Sequence, residues 1–387
     1  MRFLQGIFLI VIFCFSMMTT VFAEENPQAL DDMTAASMIL IEASTGKVIY
    51  ENNAESRQYP ASTTKMMTLL LAIENANLDD TITVDAQAAA TEGSSMHLET
   101  NDQLKLRDLV TGMMLASGND ATVAVADYLA GSVQDYAAYM TEKAQSIGAK
   151  NTHFSNSSGL PDSEHYSTAH DLARIAAYGY KNAIFRQIVG TKEKEIQWKF
   201  PPAKKIKFEN TNELLGVYPG ANGMKTGYTE AAGECLVASA ERNGVNLIAV
   251  VMHAADDKRF IEATKLLDYG FNNVKMVRAF AKDEVVQNIR VHGGKNYQIT
   301  ARPKEDILYP ISANDFSRFS VNSKPDRYVK APVKQGTVVG YISILYDGQE
   351  VNRIALLADQ SAPAGFNFFS FCGEIYDGIF SLLGVAQ

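Results

Sequence analysis

Two apolar-rich runs near residue 40, joined by a polar turn, predict that the mature chain opens with a β-hairpin. Two apolar-rich runs, Met38 to Glu42 and Lys47 to Glu51, are separated by a short turn that ends in Gly46. Glycine can adopt the positive φ that a tight turn requires. Arg57 to Ala61 follows, where Pro60 favours extended backbone in its neighbour. We therefore expect two antiparallel strands followed by an extended segment.

The apolar spacing then becomes helical. One such pattern runs from Met66 to Ile73 and stops at the polar segment from Asn75 to Asp80. Two more cover Leu106 to Ala116 and Ala121 to Leu129, and residues 117–120, which prefer caps and turns, separate them. We expect three helices, with a short polar loop between the second and the third.

Further along the chain, six apolar runs are predicted to be strands. Glu234 to Ala240 and Leu247 to His253 are apolar runs joined by a turn at Asn243-Gly244. Past Gly270, four shorter runs with strand character follow, and Asp347-Gly348 is a strong hairpin signal between the last two. These runs are Val285 to Val291, Tyr297 to Ala301, Gly336 to Leu345 and Val351 to Ala358.

The segment from Phe366 to Leu383 predicts an amphipathic helix. At 100° per residue, its aromatic and aliphatic residues fall on one half of the helical wheel and its polar residues on the other. A helix lying in a membrane interface fits this division. Packing on the protein's own β-rich part and dimerisation are the competing interpretations. The segment has no Lys or Arg, so attachment to a membrane would have to be hydrophobic.

The N-terminus has the layout of a secretory signal peptide. Arg2 precedes an apolar run from Phe3 to Phe15, and the small-residue pattern Val21-Phe22-Ala23 comes before two acidic residues. An uncleaved membrane anchor is the alternative, but the apolar run is shorter than the roughly 20 residues that a spanning helix needs. We predict that residues 1–23 are removed after Ala23 and that the protein is exported.

Composition narrows the function classes. The chain has 387 residues and a net charge of −9, which becomes −10 without residues 1–23, because that segment carries Arg2 and no acidic residue. Nucleic acid is therefore an unsuitable partner. Cys235 and Cys372 are far apart in sequence, so we expect no structural disulfide. The histidine spacing, including His165 and His170, favours no metal site, and we expect no cofactor.

Three short motifs point to chemistry: Ser62-Thr63-Thr64-Lys65, Ser117-Gly118-Asn119 and Lys225-Thr226-Gly227. A serine hydroxyl is a weak nucleophile unless a base lies within hydrogen-bond reach, and a lysine three residues further along a helix lies on the same face. At the start of a helix, free N–H groups and the helix dipole also favour developing negative charge. Each motif alone also has a purely structural interpretation, such as an N-cap for Ser62 or an ordinary interhelical turn for Ser117 to Asn119.

These motifs in this order resemble those of the serine D-alanyl-D-alanine carboxypeptidases, which are low-molecular-weight penicillin-binding proteins. The likeness extends over nearly all of the mature chain. It includes Tyr59-Pro60-Ala61-Ser62, Gly93-Ser94-Ser95-Met96, Ser117-Gly118-Asn119-Asp120-Ala121, Gly159-Leu160-Pro161, His165-Tyr166-Ser167-Thr168-Ala169 and Asn222-Gly223-Met224-Lys225-Thr226-Gly227.

The resemblance implies an α+β fold of the β-lactamase/transpeptidase type, an antiparallel sheet flanked by helices with a helical subdomain. It divides the chain into a signal peptide (1–23), a catalytic domain (24–275), a small all-β domain (276–360) and an amphipathic, membrane-associating tail (364–387). It places the protein at the outer face of the bacterial cytoplasmic membrane. The expected partners are peptidoglycan stem pentapeptides, β-lactam inhibitors and the membrane surface.

The resemblance also implies residue roles. Ser62 would be the nucleophile, Lys65 its base, and Ser117 the group that passes the proton to the departing D-alanine. The predicted substrate-binding residues are Asn119, Lys225, Thr226, Gly227 and Tyr228, with the N–H groups of Ser62 and Tyr228 forming the oxyanion hole.

Three other functions compete with this interpretation. A serine β-lactamase of the same ancestry is disfavoured, because no Glu-x-x-Leu-Asn segment lies between the second and third motifs and more than a hundred residues follow Gly227. A D,D-endopeptidase on the same fold is the second alternative. A catalytically silent peptidoglycan-binding scaffold is the alternative from another class. Glu234 departs from the aromatic residue often found there in the family, and we expect it at a solvent-facing strand position with no assigned role.

Overall fold

A computed structural model describes residues 30, 32–282, 284–312 and 317–382. The predicted signal peptide and the last five residues of the predicted tail lie outside these described residues.

The chain up to residue 273 mixes helices and strands. In order, its elements are β1 (Ser37–Glu42), β2 (Val48–Asn52), a 3-10 helix (Ala61–Thr64), α1 (Lys65–Asn75), β3 (Thr81–Thr83), α2 (Ala86–Ala89), β4 (Gln103–Lys105), α3 (Leu106–Ala116), α4 (Asn119–Ala130), α5 (Val133–Ser146), α6 (Ala169–Tyr180), α7 (Ala183–Val189), β5 (Glu193–Gln197), β6 (Lys205–Glu209), β7 (Ala221–Thr229), β8 (Gly233–Arg242), β9 (Val245–Ala254) and α8 (Arg259–Asn273).

A five-stranded antiparallel sheet in the order β2-β1-β9-β8-β7 forms the centre of this part. Side chains alternate across each strand, so β1 and β9 present apolar residues to both faces. Leu40 and Val251 pack with Leu266 of α8 on one face. Ile39 and Val250 belong to the larger core that the other helices share on the opposite face. The Ser62 to Lys65 motif lies on this second side, where α1 adds Met66 and Leu69 to the core.

Several predicted elements are confirmed. The hairpin is β1 and β2, the helix after Ser62 is α1, and the turn at Asn243-Gly244 joins β8 to β9. The run from Leu106 to Ala116 forms α3 with the predicted ends. The prediction of an extended segment up to Ala61 is wrong at its end, because Pro60 is helical and Ala61 has a φ of 46° at the start of the 3-10 helix.

The remaining chain is β-rich. It contains β10 (Val274–Phe280), β11 (Gln287–His292), β12 (Gln298–Pro303), β13 (Ile307–Ser312), β14 (Phe319–Pro325), β15 (Tyr328–Lys330), β16 (Val338–Tyr346), β17 (Gln349–Ala358) and the helix α9 (Phe368–Leu382). A six-stranded sheet has the order β14-β16-β17-β12-β11-β15, and β10 pairs with β13. The four predicted strands correspond to β11, β12, β16 and β17, so the α+β fold class with a β-rich C-terminal part is confirmed.

Helix α9 packs on β11 through its polar side. The Ser370 hydroxyl donates to the carbonyl of Val291, and the Gly293 N–H donates to Glu374 Oε1 at 2.6 Å. The amide of Asn367 donates to the Lys295 carbonyl at 2.8 Å. Phe368, Phe369, Phe371 and Ile375, on the other side of the helix, are exposed. Among the described residues, no helix has both the length and the apolar character needed to cross a bilayer.

Candidate active site

Ser62 and Lys65 come together because they lie one turn apart. Ser62 is in the 3-10 helix, and Lys65 is the first residue of α1. The Lys65 Nζ lies 2.8 Å from Ser62 Oγ, which is hydrogen-bond distance for a nucleophile and its base. Ser62 is partly accessible, whereas Lys65 is fully buried. The structure therefore brings the first motif into the arrangement that the sequence predicted.

Two further groups surround the Lys65 amine. Its Nζ lies 2.8 Å from Asn119 Oδ1 and 2.9 Å from the carbonyl of Ser158. Burial, and then the positive charge of Lys225, hold the pKa of Lys65 well below its usual value, while Asp120 acts in the opposite direction. Desolvation disfavours the charged form of a lysine, so this amine is suited to accept a proton.

The start of α4 fixes Asn119 from both its backbone and its side chain. The Asn119 N–H donates to the Ser94 carbonyl at 2.7 Å, and its amide donates to the Glu92 carbonyl at 2.8 Å. The Asp120 carboxylate accepts from the N–H of Met96 at 3.0 Å. The loop around residues 92–96 is thus tied to α4, and Asn119 can turn only its amide oxygen toward Lys65.

Ser117 ends α3 in a left-handed conformation with a φ of 58°. Its side chain is buried, and its hydroxyl makes no hydrogen bond with any other residue that the structure describes. It lies two residues before Asn119, in an interhelical loop that is shorter than the predicted loop of residues 117–120, because Asn119 and Asp120 already belong to the first turn of α4. The second motif therefore contacts Lys65 through Asn119, while the proton transfer by Ser117 stays a prediction.

The third motif lies on β7, the edge strand of the central sheet. The Lys225 Nζ donates to the carbonyl and the hydroxyl of Thr226 at 3.1 and 3.3 Å. The Thr226 hydroxyl lies 2.6 Å from that of Thr211, a residue that motif reasoning did not single out. Burial and the nearby charge of Arg259 lower the pKa of Lys225 to about 7. A buried cation beside two hydroxyls is a fitting receptor for a carboxylate.

Gly227 has a packing role at the start of the 3-10 helix. A Cβ on Gly227 would lie 3.1 Å from the Pro60 carbonyl oxygen and 3.1 Å from the Ser62 nitrogen. The absent side chain thus makes room for the segment from Pro60 to Ser62, and the substrate-binding role of Gly227 stays a prediction. The next residue, Tyr228, is 55% exposed.

The loop before Leu160 holds the other side of the nucleophile. Gly159 has a φ of +92°, and a Cβ there would lie only 1.8 Å from the Ala61 carbonyl oxygen. The preceding carbonyl, that of Ser158, is the one that Lys65 contacts. In the sequence, Gly159 is notable only as part of a motif that resembles the family. The neighbouring residues do not show which backbone segment it approaches.

His165 contacts the first motif through the Thr64 hydroxyl. Its Nδ1 accepts from the Ser155 N–H at 3.2 Å, so Nε2 carries the proton and donates to the Thr64 hydroxyl at 2.8 Å. Burial lowers the pKa of His165 to about 4. A neutral His165 therefore lies against Thr64, within the Ser62 to Lys65 motif. The sequence did not predict this contact.

The prediction that Glu234 faces solvent is wrong. Its carboxylate forms an ion pair with Arg259, with 2.6 Å between Glu234 Oε2 and Arg259 Nη1, and its side chain is only 15% exposed. The physical reason is that α8 begins beside the ends of β7 and β8, so its first residue covers this strand position. Strand alternation alone does not show what a neighbouring helix will cover.

Comparisons with known proteins show the family of this chain. Residues 20–256 match the family described as D-alanyl-D-alanine carboxypeptidase, and residues 275–364 match the family described as the C-terminal domain of penicillin-binding protein 5. The chain is 32% identical over 379 residues to the D-alanyl-D-alanine carboxypeptidase DacF of Bacillus subtilis, covering 95% of this chain and 97% of that protein. It is 34% identical over 366 residues to DacA of Escherichia coli K12, covering 89% and 87%.

Solved structures show the same architecture. Penicillin-binding protein 5 from Haemophilus influenzae has a TM-score of 0.62 at 31% identity, covering 86% of this chain and 98% of that one. A peptidoglycan synthesis regulatory factor, PBP3 of Streptococcus pneumoniae, has a TM-score of 0.73 at 25% identity, covering 85% and 99%.

The sheet, the helical side and the Ser62 to Lys65 pair define the transpeptidase-like fold of the penicillin-binding proteins. Within that class, the chain belongs to the D-alanyl-D-alanine carboxypeptidase family of hydrolases, as its motifs predicted.

Proposed function

We propose that this protein removes the terminal D-alanine from peptidoglycan stem pentapeptides through an acyl-enzyme on Ser62. The observation that carries the proposal is the buried Lys65 amine, 2.8 Å from Ser62 Oγ and 2.8 Å from Asn119 Oδ1. A lysine with a lowered pKa can take the serine proton as the hydroxyl attacks.

Acylation then proceeds at the penultimate D-alanine. Ser62 Oγ attacks its carbonyl carbon, and the proton of the hydroxyl passes to Lys65. The N–H groups of Ser62 and Tyr228 stabilise the oxyanion, each donor contributing roughly 3 to 4 kcal/mol in comparable sites. When the peptide bond breaks, the proton returns through Ser117 to the amine of the departing D-alanine, and water later hydrolyses the ester on Ser62.

The β7 end of the cleft binds the terminal carboxylate. Lys225 supplies the positive charge and Thr226 the hydroxyl, which Thr211 orients at 2.6 Å. Asn119 holds Lys65 and the substrate amide in place. A β-lactam carries an acylating carbonyl and a carboxylate, so we expect it to acylate Ser62 by the same route.

The test uses protein without residues 1–23 and without the tail after Pro363, incubated with labelled penicillin and analysed by mass spectrometry. We expect a lasting adduct on Ser62, none in Ser62→Ala, and release of D-alanine from a pentapeptide. Rapid loss of the drug without an adduct would support the β-lactamase alternative. No reaction with drug or peptide would support the silent scaffold and overturn the proposal.

We also infer that α9 attaches the exported protein to the outer face of the cytoplasmic membrane. Because the polar side of the helix is bonded to β11, its aromatic side is left for another partner. Phe368 and Phe369 are 63% and 67% exposed, and Phe371 and Ile375 about half. Exposed aromatic and aliphatic side chains on one helix face are typical of helices at a bilayer interface.

Flotation with vesicles of zwitterionic lipid tests this attachment. We expect the full mature protein to float with the vesicles and the double variant Phe368→Ser, Phe369→Ser to remain in solution. Phe200→Ser is the matched control, because Phe200 is 53% exposed on the β5–β6 loop. Equal flotation of the double variant, or a dimer that forms through this face in sedimentation experiments, would contradict the attachment.

A further inference from the structure

Glu234 and Arg259 form an ion pair directly behind the Lys-Thr-Gly segment. Arg259 Nη1 lies 2.6 Å from Glu234 Oε2 and donates to the Gly227 carbonyl at 3.3 Å. Glu234 is on β8, opposite Tyr228 on β7, and Arg259 is the first residue of α8. One guanidinium group thus connects the two strands and the helix at the carboxylate end of the cleft.

The position of Arg259 matters to the cleft because its charge acts on Lys225. Arg259 is the neighbouring charge that lowers the pKa of Lys225. A long arginine side chain keeps one position only where its donors are satisfied, because ordering it costs conformational freedom. The Arg259 Nε is buried without a hydrogen-bond partner among the described residues. The Arg259 side chain is therefore held in place by the contacts of Nη1 with Glu234 and the Gly227 carbonyl. Its guanidinium group also packs on Phe260, 4.9 Å from the ring centre.

Acidic residues at the surface offer Arg259 other partners for an ion pair. Asp256 and Asp257, in the turn before α8, and Glu213 all lie near enough to act on the Glu234 carboxylate, and all three are exposed. Without Glu234, these groups would draw the guanidinium away from the Gly227 carbonyl and toward solvent. Lys225 would then keep its proton to higher pH, but a carboxylate bound at this end of the cleft would lose the attraction of the guanidinium charge.

We propose that Glu234 is a positioning residue that holds Arg259 on the Gly227 carbonyl and thereby sets how strongly the cleft binds the carboxylate of the terminal D-alanine. This inference rests on the proposed function, in which Lys225 and Thr226 receive that carboxylate. Ser62 and Lys65 do not contact Glu234, so the bond-making step is not affected. Glu234 acts on substrate binding and leaves turnover at saturation unchanged.

The experiment compares KM and kcat for D-alanine release in matched variants. We expect Glu234→Leu to raise KM roughly tenfold while kcat stays within about twofold. Glu234→Gln keeps an oxygen that accepts from Arg259, so its KM should rise less than about threefold. Glu230→Leu is the control, because Glu230 is an exposed residue of the β7–β8 turn, and it should behave like the wild type.

A double-mutant cycle isolates the pair. If Glu234 acts through Arg259, Glu234→Leu raises KM in the wild-type background and has no further effect in an Arg259→Gln background. An unchanged KM in Glu234→Leu, a fall in kcat alone, or an equal KM increase in both backgrounds would overturn the inference. Stoichiometric penicillin adducts on Ser62 in every variant show that the fold and the acylation step are intact. A wild type without an adduct would instead overturn the proposed function.

Discussion

At the scale of single residues, the site depends on two buried lysines with different tasks. Lys65 is suited to be neutral before it accepts a proton, and Lys225 is suited to be charged when it meets a carboxylate. Burial lowers both pKa values, and the charge of Lys225 adds to the effect on Lys65. Burial therefore favours the proposed role of Lys65, which must be neutral, and opposes the proposed role of Lys225, which must be charged.

This balance predicts how activity depends on pH. Above about pH 7, Lys225 loses its proton in the free enzyme, so kcat/KM should fall as pH rises through that value. In Lys225→Arg the charge persists, because an arginine keeps its proton to above about pH 12. We expect a lower maximum in this variant and no alkaline fall near neutrality. Profiles of kcat/KM against pH check the prediction, and an unchanged alkaline limb in Lys225→Arg would contradict it.

A second residue-scale prediction concerns Gly159. Gly159→Ala should reduce the free energy of unfolding by about 2 kcal/mol or more, because it adds a side chain at positive φ and places Cβ 1.8 Å from the Ala61 carbonyl oxygen. Penicillin acylation of Ser62 should slow as well, because the displaced backbone adjoins the nucleophile. Thermal unfolding and acylation rates measure the two effects.

Gly131→Ala is the matched control for Gly159. Gly131 also has a positive φ, +77°, but an added Cβ meets nothing within 4 Å. Its variant should lose stability through backbone strain alone and keep its acylation rate. Equal losses in the two variants would show that the close approach to Ala61 is unimportant.

At the scale of elements, the sequence predicted those with strong local patterns. Helix α3 runs from Leu106 to Ala116 as expected, because its buried residues recur at helical spacing. Strand β14 was missed, because five successive residues from Ser320 to Lys324 are exposed and show no alternation. Its strand structure comes from pairing with β16, which a local pattern cannot reveal.

The β5–β6 hairpin shows how one buried carboxylate anchors a missed element. Asp102 Oδ2 accepts from Trp198 Nε1 at 2.8 Å and from Lys204 Nζ at 2.7 Å. Asp102→Ala should destabilise the protein by about 3 kcal/mol, because it leaves the buried indole N–H of Trp198 without its partner and removes one of the two carboxylates that pair with Lys204. Chemical denaturation measures this loss.

The control for Asp102 is Asp79→Ala. Asp79 pairs with Lys105 at 3.0 Å, but both side chains are exposed to solvent. An exposed pair contributes less than about 1 kcal/mol, so this variant should unfold almost like the wild type. Similar losses in Asp102→Ala and Asp79→Ala would show that Asp102 does not anchor the hairpin.

At the scale of the whole molecule, the two parts of the chain have separate cores. Val339, Ile342 and Leu356 belong to a C-terminal cluster that shares no member with the clusters around the central sheet. Parts that bury their apolar residues independently can unfold independently. Calorimetry of the mature protein should therefore show two transitions.

Two core variants assign the transitions. Ile342→Ala should lower one of them and Leu109→Ala the other, because each residue is fully buried in a different cluster. Acylation of Ser62 by penicillin should move only the transition that responds to Leu109→Ala. A single transition that both variants lower by the same amount would contradict the independence of the two parts.

The sequence by itself determined the features that depend on near neighbours in the chain. Helical geometry fixes Lys65 one turn after Ser62, and the turn residues fix the β1–β2 and β8–β9 hairpins. The tertiary structure decided the features that depend on what is packed nearby. It surrounded Lys65 with Asn119 and the Ser158 carbonyl, and it paired Glu234 with Arg259. The difference arises because periodicity is a property of the backbone, whereas burial, charge pairing and pKa depend on residues distant in sequence.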